Sequence, residues 1–218
     1  MGACTSKIFI VDDDRDALVS LATFYQSVGY ATEAYGSADQ FLCAYRDEEP
    51  ACLVLDVRTP GPRGLAVQER LRAEGAWLPI IVLSSHADVP VAVRAMKAGA
   101  VDFILKPFTE HDLLERTRVA LAIARATFEE ERERSRFERS LRRLTPRERQ
   151  ILHHMLEGKA NKVIADDLRI SQKTVEVHRY HLMHKMGTSS SVQLAQLAGR
   201  FWRSLQTNGS TESLYRAA

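Results

Sequence analysis

Three aspartates, a serine and a lysine in the first half of the chain each follow a short apolar run. Asp12 and Asp13 follow Ile8-Phe9-Ile10-Val11, and Asp56 follows Cys52-Leu53-Val54-Leu55. Ser84 follows Ile80-Ile81-Val82-Leu83, and Lys106 follows Phe103-Ile104-Leu105. Carboxylates, a hydroxyl and an ammonium brought to one point suit a divalent metal and a phosphoryl group. Asp12 and Asp13 are placed to hold Mg²⁺, which prefers one or two carboxylates completed by water and phosphate oxygens. Asp56 is placed as the nucleophile, because a carboxylate can attack phosphorus and form an aspartyl phosphate. Lys106 offers a fixed positive charge for the phosphoryl oxygens, and Ser84 a hydroxyl that distinguishes a phosphorylated Asp56 from a free one. Three carboxylates without a cation would repel until one kept its proton, so a metal belongs in the reading. A single Asp after a strand is usually a turn former or a helix cap. Five such groups, each at a strand end, are not explained by turns and caps.

Convergence requires that the apolar runs be neighbouring strands. Runs this short, rich in β-branched and aromatic residues and bounded by Gly, Pro or charge, read as buried parallel strands. Strands are expected near residues 7–11, 31–35, 52–55, 80–83 and 101–105, with helices over 14–28, 37–45, 64–74 and 89–98. Gly29, Gly75 and Gly99 stand where helix C-caps belong. Strict alternation predicts an α/β doubly wound, five-stranded parallel sheet whose site lies at the carboxyl ends of the strands.

Beyond the sheet a helix is expected from Thr109, its N-cap, onward, since no Gly or Pro interrupts the chain before Thr145. Its first half should cover the sheet. Its later part, residues 126–144, is dense in Glu and Arg and reads as a solvated helical linker. Leu114, Leu121 and Phe128 lie seven apart, a weak coiled-coil hint. Thr145-Pro146-Arg147-Glu148 carries an N-cap, a Pro at the first helical position and a capping box, so a new helix starts there and ends near Gly158. Further helices are expected over 161–168, from Ser171 to Gly187, and over 191–202. Ile170 and Val175 are placed as a hydrophobic staple on the helix that Ser171 caps. The predicted divisions are 1–125, 126–144, 145–205, an all-α domain, and a frayed tail over 206–218.

Charge divides the same way. Residues 1–125 hold 13 Lys/Arg against 17 Asp/Glu, whereas residues 145–205 hold 10 against 5. An acidic front and a basic back suggest two tasks, the second being nucleic-acid binding. No apolar run approaches the ~20 residues that span a bilayer, so no membrane role is expected. No secretory signal is visible, and the three cysteines lack a C-x-x-C spacing, so a reduced, cytoplasmic setting is expected. In the third helix of the basic half, Val175, Leu182 and Met186 share one face and should be buried. Glu176, Val177 and Tyr180 lie away from that face, where they can meet base edges in a major groove. Lys162, Lys173, Thr174 and Arg179 suit phosphates. His178, His181 and His184 recur every three residues but spread around the helix, a poor zinc pattern. The opening Met1-Gly2-Ala3-Cys4-Thr5-Ser6 fits an acylation pattern only superficially.

The first half resembles the receiver domain of bacterial two-component response regulators. The resemblance is carried by Val11-Asp12-Asp13-Asp14, by Leu55-Asp56-Val57-Arg58 with Pro60 and Gly64, and by Leu83-Ser84-Ser85. Ala98-Gly99-Ala100-Val101-Asp102-Phe103 with Lys106-Pro107-Phe108 completes it. It implies a flavodoxin-like strand order 2-1-3-4-5 and Mg²⁺ (or Mn²⁺) on Asp12, Asp13, Asp56 and the backbone carbonyl of Arg58. It also implies phosphorylation of Asp56 by a sensor histidine kinase, a Ser84–Phe103 switch, and a cis Lys106-Pro107 bond. Thr59 and His86 depart from the usual Met and Gly beside the pocket. The second half resembles the LuxR-type helix-turn-helix of the FixJ/NarL regulators, through Leu144 to Arg149, Asn161-Lys162, Ser171 to Arg179 and Lys185-Met186. Arg169 stands where a Gly is usual. If it keeps the left-handed conformation, that costs about 1 kcal/mol.

Together these readings describe a transcription factor that a phosphoryl group switches, working as a homodimer on DNA, with RNA polymerase as a further partner. A Mg²⁺-dependent phosphohydrolase is the rival enzyme, disfavoured because Arg58 stands where such hydrolases carry a second acid. A phosphate-independent binding module fused to a DNA-binding domain is the other rival.

Overall fold

Apolar residues on both faces of the interior strands dictate a sheet covered on both sides. In the computed structural model, residues 6–57, 64–73, 76–86 and 89–207 are described. The expectations for Arg58, Thr59, Gly75, residues 1–5 and the tail beyond 207 lie outside them.

The chain forms two compact units, 1–130 and 131–218. In the first, strands β1 (Lys7–Val11), β2 (Ala31–Tyr35), β3 (Ala51–Asp56), β4 (Ile80–Ser84) and β5 (Asp102–Leu105) alternate with helices. These helices are α1 (Arg15–Ser27), α2 (Ala38–Ala44), α3 (Gly64–Ala73), α4 (Val89–Lys97) and the start of α5 (Glu110–Arg142). All strand pairs are parallel, in the order β2-β1-β3-β4-β5. Burial is complete along β3 and β4, as an interior parallel strand requires. One face packs Phe9, Leu53, Leu55 and Val82 with Phe41, Val67 and Leu71. The other packs Ile8, Ile10, Val54 and Ile81 with Leu21, Tyr25, Leu113 and Leu121.

Asp56 and Ser84 are the last residues of β3 and β4 rather than the first beyond them. The reason is the register, which continues to Asp56↔Leu83 and Ser84↔Leu105. The ladder therefore fixes the backbone of both functional groups.

Helix α5 starts as expected, with Thr109 accepting from the Asp112 N–H at 3.1 Å. Leu113, Thr117, Ala120, Leu121 and Ala124 form its buried stripe over the first unit, so the covering role outweighs the heptad. The reading of 126–144 as solvated needs correction. Phe137 and Leu141 are buried with Leu144 in the second unit's core, and Phe137 meets Phe201 at 5.9 Å between ring centroids. Apolar residues at i, i+4 and i+7 anchor the end of the helix despite the surrounding charge.

The second unit adds α6 (Pro146–Leu156), α7 (Asn161–Leu168), α8 (Gln172–Met186) and α9 (Ser191–Thr207). The Thr145 capping box is present in full. Ser171 caps α8 by accepting from the Thr174 N–H, while Ile170 and Val175 both join the core. Gly187 closes α8 in the left-handed region. Arg169, between α7 and α8, is also left-handed at φ 52°, ψ 49°. Leu194, Ala198 and Phe201 of α9 are spent on this core, with Leu197 packed against it. The helix continues past Trp202 to Thr207.

Candidate functional sites

The parallel ladder brings Asp12, Asp56, Ser84 and Lys106 to one end of the sheet. Asp12 and Asp56 are each 2% exposed. Between them lies the Lys106 ammonium, whose Nζ donates to Asp56 Oδ2 at 2.6 Å and to Asp12 Oδ2 at 2.9 Å. Burial alone would lower the pKa of that amine. The hydrogen bonds to Asp56 and Asp12 and their negative charges outweigh it, so the pKa is raised and the charge is secure. Asp12 Oδ1 also accepts from the Asp14 N–H at 3.0 Å, and Asp14 caps α1. This local bonding holds the first carboxylate while leaving Asp13 exposed beside it.

Ser84 is held in a tight turn. Its Oγ accepts from the His86 N–H at 3.2 Å and donates to the His86 carbonyl at 3.1 Å. Phe103 on β5 is half-buried against the core face that holds Val82 and Ala100. Its N–H donates to the carboxylate of Asp102, which also pairs with Arg116 of α5. The Lys106-Pro107 bond is cis.

The donor set fits a hard divalent cation. Two buried carboxylates share one ammonium, and the exposed Asp13 adds a third negative charge beside them. Among the described residues no three His, Cys, Asp or Glu side chains are grouped to hold a metal ion. Mg²⁺ can be held by one or two carboxylates, completed by water and phosphate oxygens. Asp12 and Asp56, which meet at Lys106, are two such carboxylates, and Asp13 is exposed beside Asp12.

In the second unit, α7, the turn at Arg169 and α8 form a helix-turn-helix. Val175, Leu182 and Met186 are buried as expected. Glu176, Val177, Tyr180, Lys162 and Lys173 are exposed, Tyr180 at 69%. Thr174 is half-buried, with its hydroxyl 2.8 Å from that of Ser171. Arg179 donates to Asn161 Oδ1 at 2.6 Å, an anchor to α7 that the sequence reading did not foresee. Lys185 binds both oxygens of the buried Glu148 at 2.7 and 2.9 Å. Burial works against that carboxylate's charge, but Lys185 and the Thr145 N–H and hydroxyl overcome it and hold its pKa below the usual range. Only the placement of Glu148 as a capping residue and Lys185 at the motif's end hinted at this pair.

A receiver-like α/β unit joined by helix to a helix-turn-helix unit defines a regulator of transcription governed by a signal. Residues 8–118 match the response regulator receiver domain, and residues 142–198 match the luxR family of bacterial regulatory proteins. The chain belongs to the two-component response regulators with a LuxR-type DNA-binding domain. It is similar to the response regulator protein TmoT of Ectopseudomonas mendocina, 42% identical over 201 residues, which is 92% of this chain and 91% of that protein. The transcriptional regulatory protein FixJ of Azorhizobium caulinodans is 40% identical over 191 residues, covering 88% of this chain and 90% of that one. The solved structure of the response regulator StyR superposes with a TM-score of 0.82 at 36% identity, covering 90% of this chain and 100% of that one. These relatives are regulators rather than enzymes. No helix among the described residues is long and apolar enough to cross a membrane.

Proposed function

We propose that Asp56 accepts a phosphoryl group from a sensor histidine kinase in the cytoplasm and that the aspartyl phosphate switches sequence-specific DNA binding. The observation that carries this reading is the Lys106 ammonium bridging the buried Asp12 and Asp56 at the strand ends. An Asp56 oxygen attacks the phosphorus of the kinase's phosphohistidine. A P–O bond forms, the P–N bond breaks, and the imidazole nitrogen leaves with the electron pair and takes a proton from solvent. Lys106 stays within reach of the transferred oxygens and stabilises their charge. Mg²⁺ (or Mn²⁺), held by Asp12, Asp13, Asp56 and the backbone carbonyl of Arg58, supplies the remaining positive charge when bound.

Ser84 must release the His86 carbonyl to donate to the new phosphoryl oxygens, and Phe103 turns inward with it. The switch acts through the face of α4 and β5, where Val89, Val93, Met96 and Leu105 are exposed apolar residues. That face then forms a homodimer. Driving the equilibrium from 1:99 to 99:1 needs about 5.5 kcal/mol of differential stabilisation. The dimer presents two α8 helices to double-stranded DNA, with Glu176, Val177 and Tyr180 at base edges and Lys162, Lys173, Thr174 and Arg179 at phosphates. RNA polymerase is the downstream partner. Release of phosphate is slow self-dephosphorylation without turnover of an external ester.

Incubation with a labelled small-molecule phosphodonor and Mg²⁺ tests the assignment. One acid-stable, base-labile acyl phosphate per chain is expected on Asp56, and none on an Asp56→Asn variant. Label retained by the variant, or multiple turnover of a phosphate ester, contradicts it.

A further inference from the structure

Helix α8 carries three imidazoles that the reading above does not use. With 3.6 residues per turn, Lys173, Val177, Tyr180 and His184 form one stripe opposite the buried Val175, Leu182 and Met186. His181 flanks that stripe. Both His181 and His184 are exposed, whereas His178 is half-buried.

Charge on this face is scarce. Of the three Lys/Arg groups in α8, Arg179 is tied to Asn161 and Lys185 to Glu148. Lys173 supplies the outward positive charge, and Glu176, also exposed, opposes it. The elements packed against α8 add few acids. On α6, Glu148 is engaged by Lys185, beside Arg147, Arg149, His153 and His154. On α7, Asp167 is engaged by Lys159, leaving Lys162 and Asp166 exposed. The charged residues of α9 are Arg200 and Arg203, without an acid. Two protonated imidazoles would therefore make an almost neutral face cationic.

We propose that His181 and His184 are additional DNA-phosphate ligands of this chain, making contact in their cationic form, so that DNA binding tightens as pH falls below neutrality. This rests on the DNA-binding reading of α8 and adds residues and a proton linkage to it. An imidazole titrates near pH 6.5 in water, and a neighbouring phosphate favours its charged form. An imidazole whose pKa a phosphate raises by about one unit on binding tightens that binding roughly fourfold between pH 7.5 and 6.0.

The test is fluorescence anisotropy of the full chain, carrying the acyl phosphate from a small-molecule donor with Mg²⁺, on a 30-bp random-sequence duplex, at constant low salt. Wild type is expected to bind about tenfold or more tightly at pH 6.0 than at 7.5. In a His181→Gln/His184→Gln variant that ratio should fall below about threefold. In a His181→Lys/His184→Lys variant, affinity at pH 7.5 should exceed wild type and lose most of its pH dependence. Persistence of the wild-type ratio in the Gln variant overturns the proposal, as does failure of the Lys variant to tighten binding. A wild-type chain that binds the duplex at neither pH overturns the DNA reading of α8, and this inference with it.

Discussion

Replacing Lys106 with Met removes the ammonium that bridges two buried carboxylates. At 2.6 and 2.9 Å its attractions are worth about 6 kcal/mol each at an effective dielectric near 20. The two bridged oxygens are no more than about 5.5 Å apart, so their repulsion is at least about 3 kcal/mol on the same scale. Desolvation of all three groups cancels most of the attraction in the wild type. Removing one partner from a buried pair typically costs about 3–5 kcal/mol, because the other charge is stranded. Lys106 is a quarter exposed, so water relieves part of this, and about 2–4 kcal/mol is expected. For a unit of this size that lowers Tm by roughly 8–16 °C. Calorimetry of the full chain in chelator should show the loss in the first unit's transition while the second unit's stays in place. Adding Mg²⁺ should then restore more stability to the variant than it adds to wild type, because more negative charge awaits it. A metal at a hundredfold excess over Kd contributes about 2.7 kcal/mol. An unchanged first transition, or a Mg²⁺ gain no larger than in wild type, would refute the charge balance argued for the pocket.

The second unit should be acid-sensitive through Glu148. Its folded pKa is lowered, so its stabilisation is present above the ordinary value of 4.5 and is lost as pH falls through the folded value. Glu148→Gln should cost about 1.5–3 kcal/mol at pH 7 and flatten the acid limb of the second calorimetric transition. Arg169→Gly should raise that transition by about 1 kcal/mol, since it relieves the left-handed strain at φ 52°. Val93→Glu with Met96→Glu should abolish dimerisation by the phosphorylated chain in sedimentation velocity and leave phosphoryl uptake intact.

Periodicity and end signals made most of this architecture legible in the sequence. Alternating apolar runs gave the five strands, and the Thr109, Thr145 and Ser171 caps placed three helix starts. The pocket was readable because its members sit at the ends of parallel strands, where sequence position maps directly onto space. Three things were not readable. The burial of Phe137 and Leu141 was hidden by the Glu and Arg around them, since composition outweighed a two-turn apolar spacing. Contacts between elements, such as Arg179 with Asn161 and Lys185 with Glu148, depend on how helices cross, which local pattern does not specify. The Ser84 turn was hidden for another reason, since the hydroxyl's partners are backbone groups of His86. A backbone carbonyl carries no side-chain signature in a sequence.

The central claim is that a phosphoryl group on Asp56 controls the DNA-binding unit. Affinity for a bound promoter fragment should be measured on the full chain before and after a phosphodonor with Mg²⁺, beside the Asp56→Asn variant. The account predicts that the donor tightens binding by wild type and leaves the variant unchanged. Equal tightening in both chains, or none in a wild type shown to carry the acyl phosphate, would contradict it.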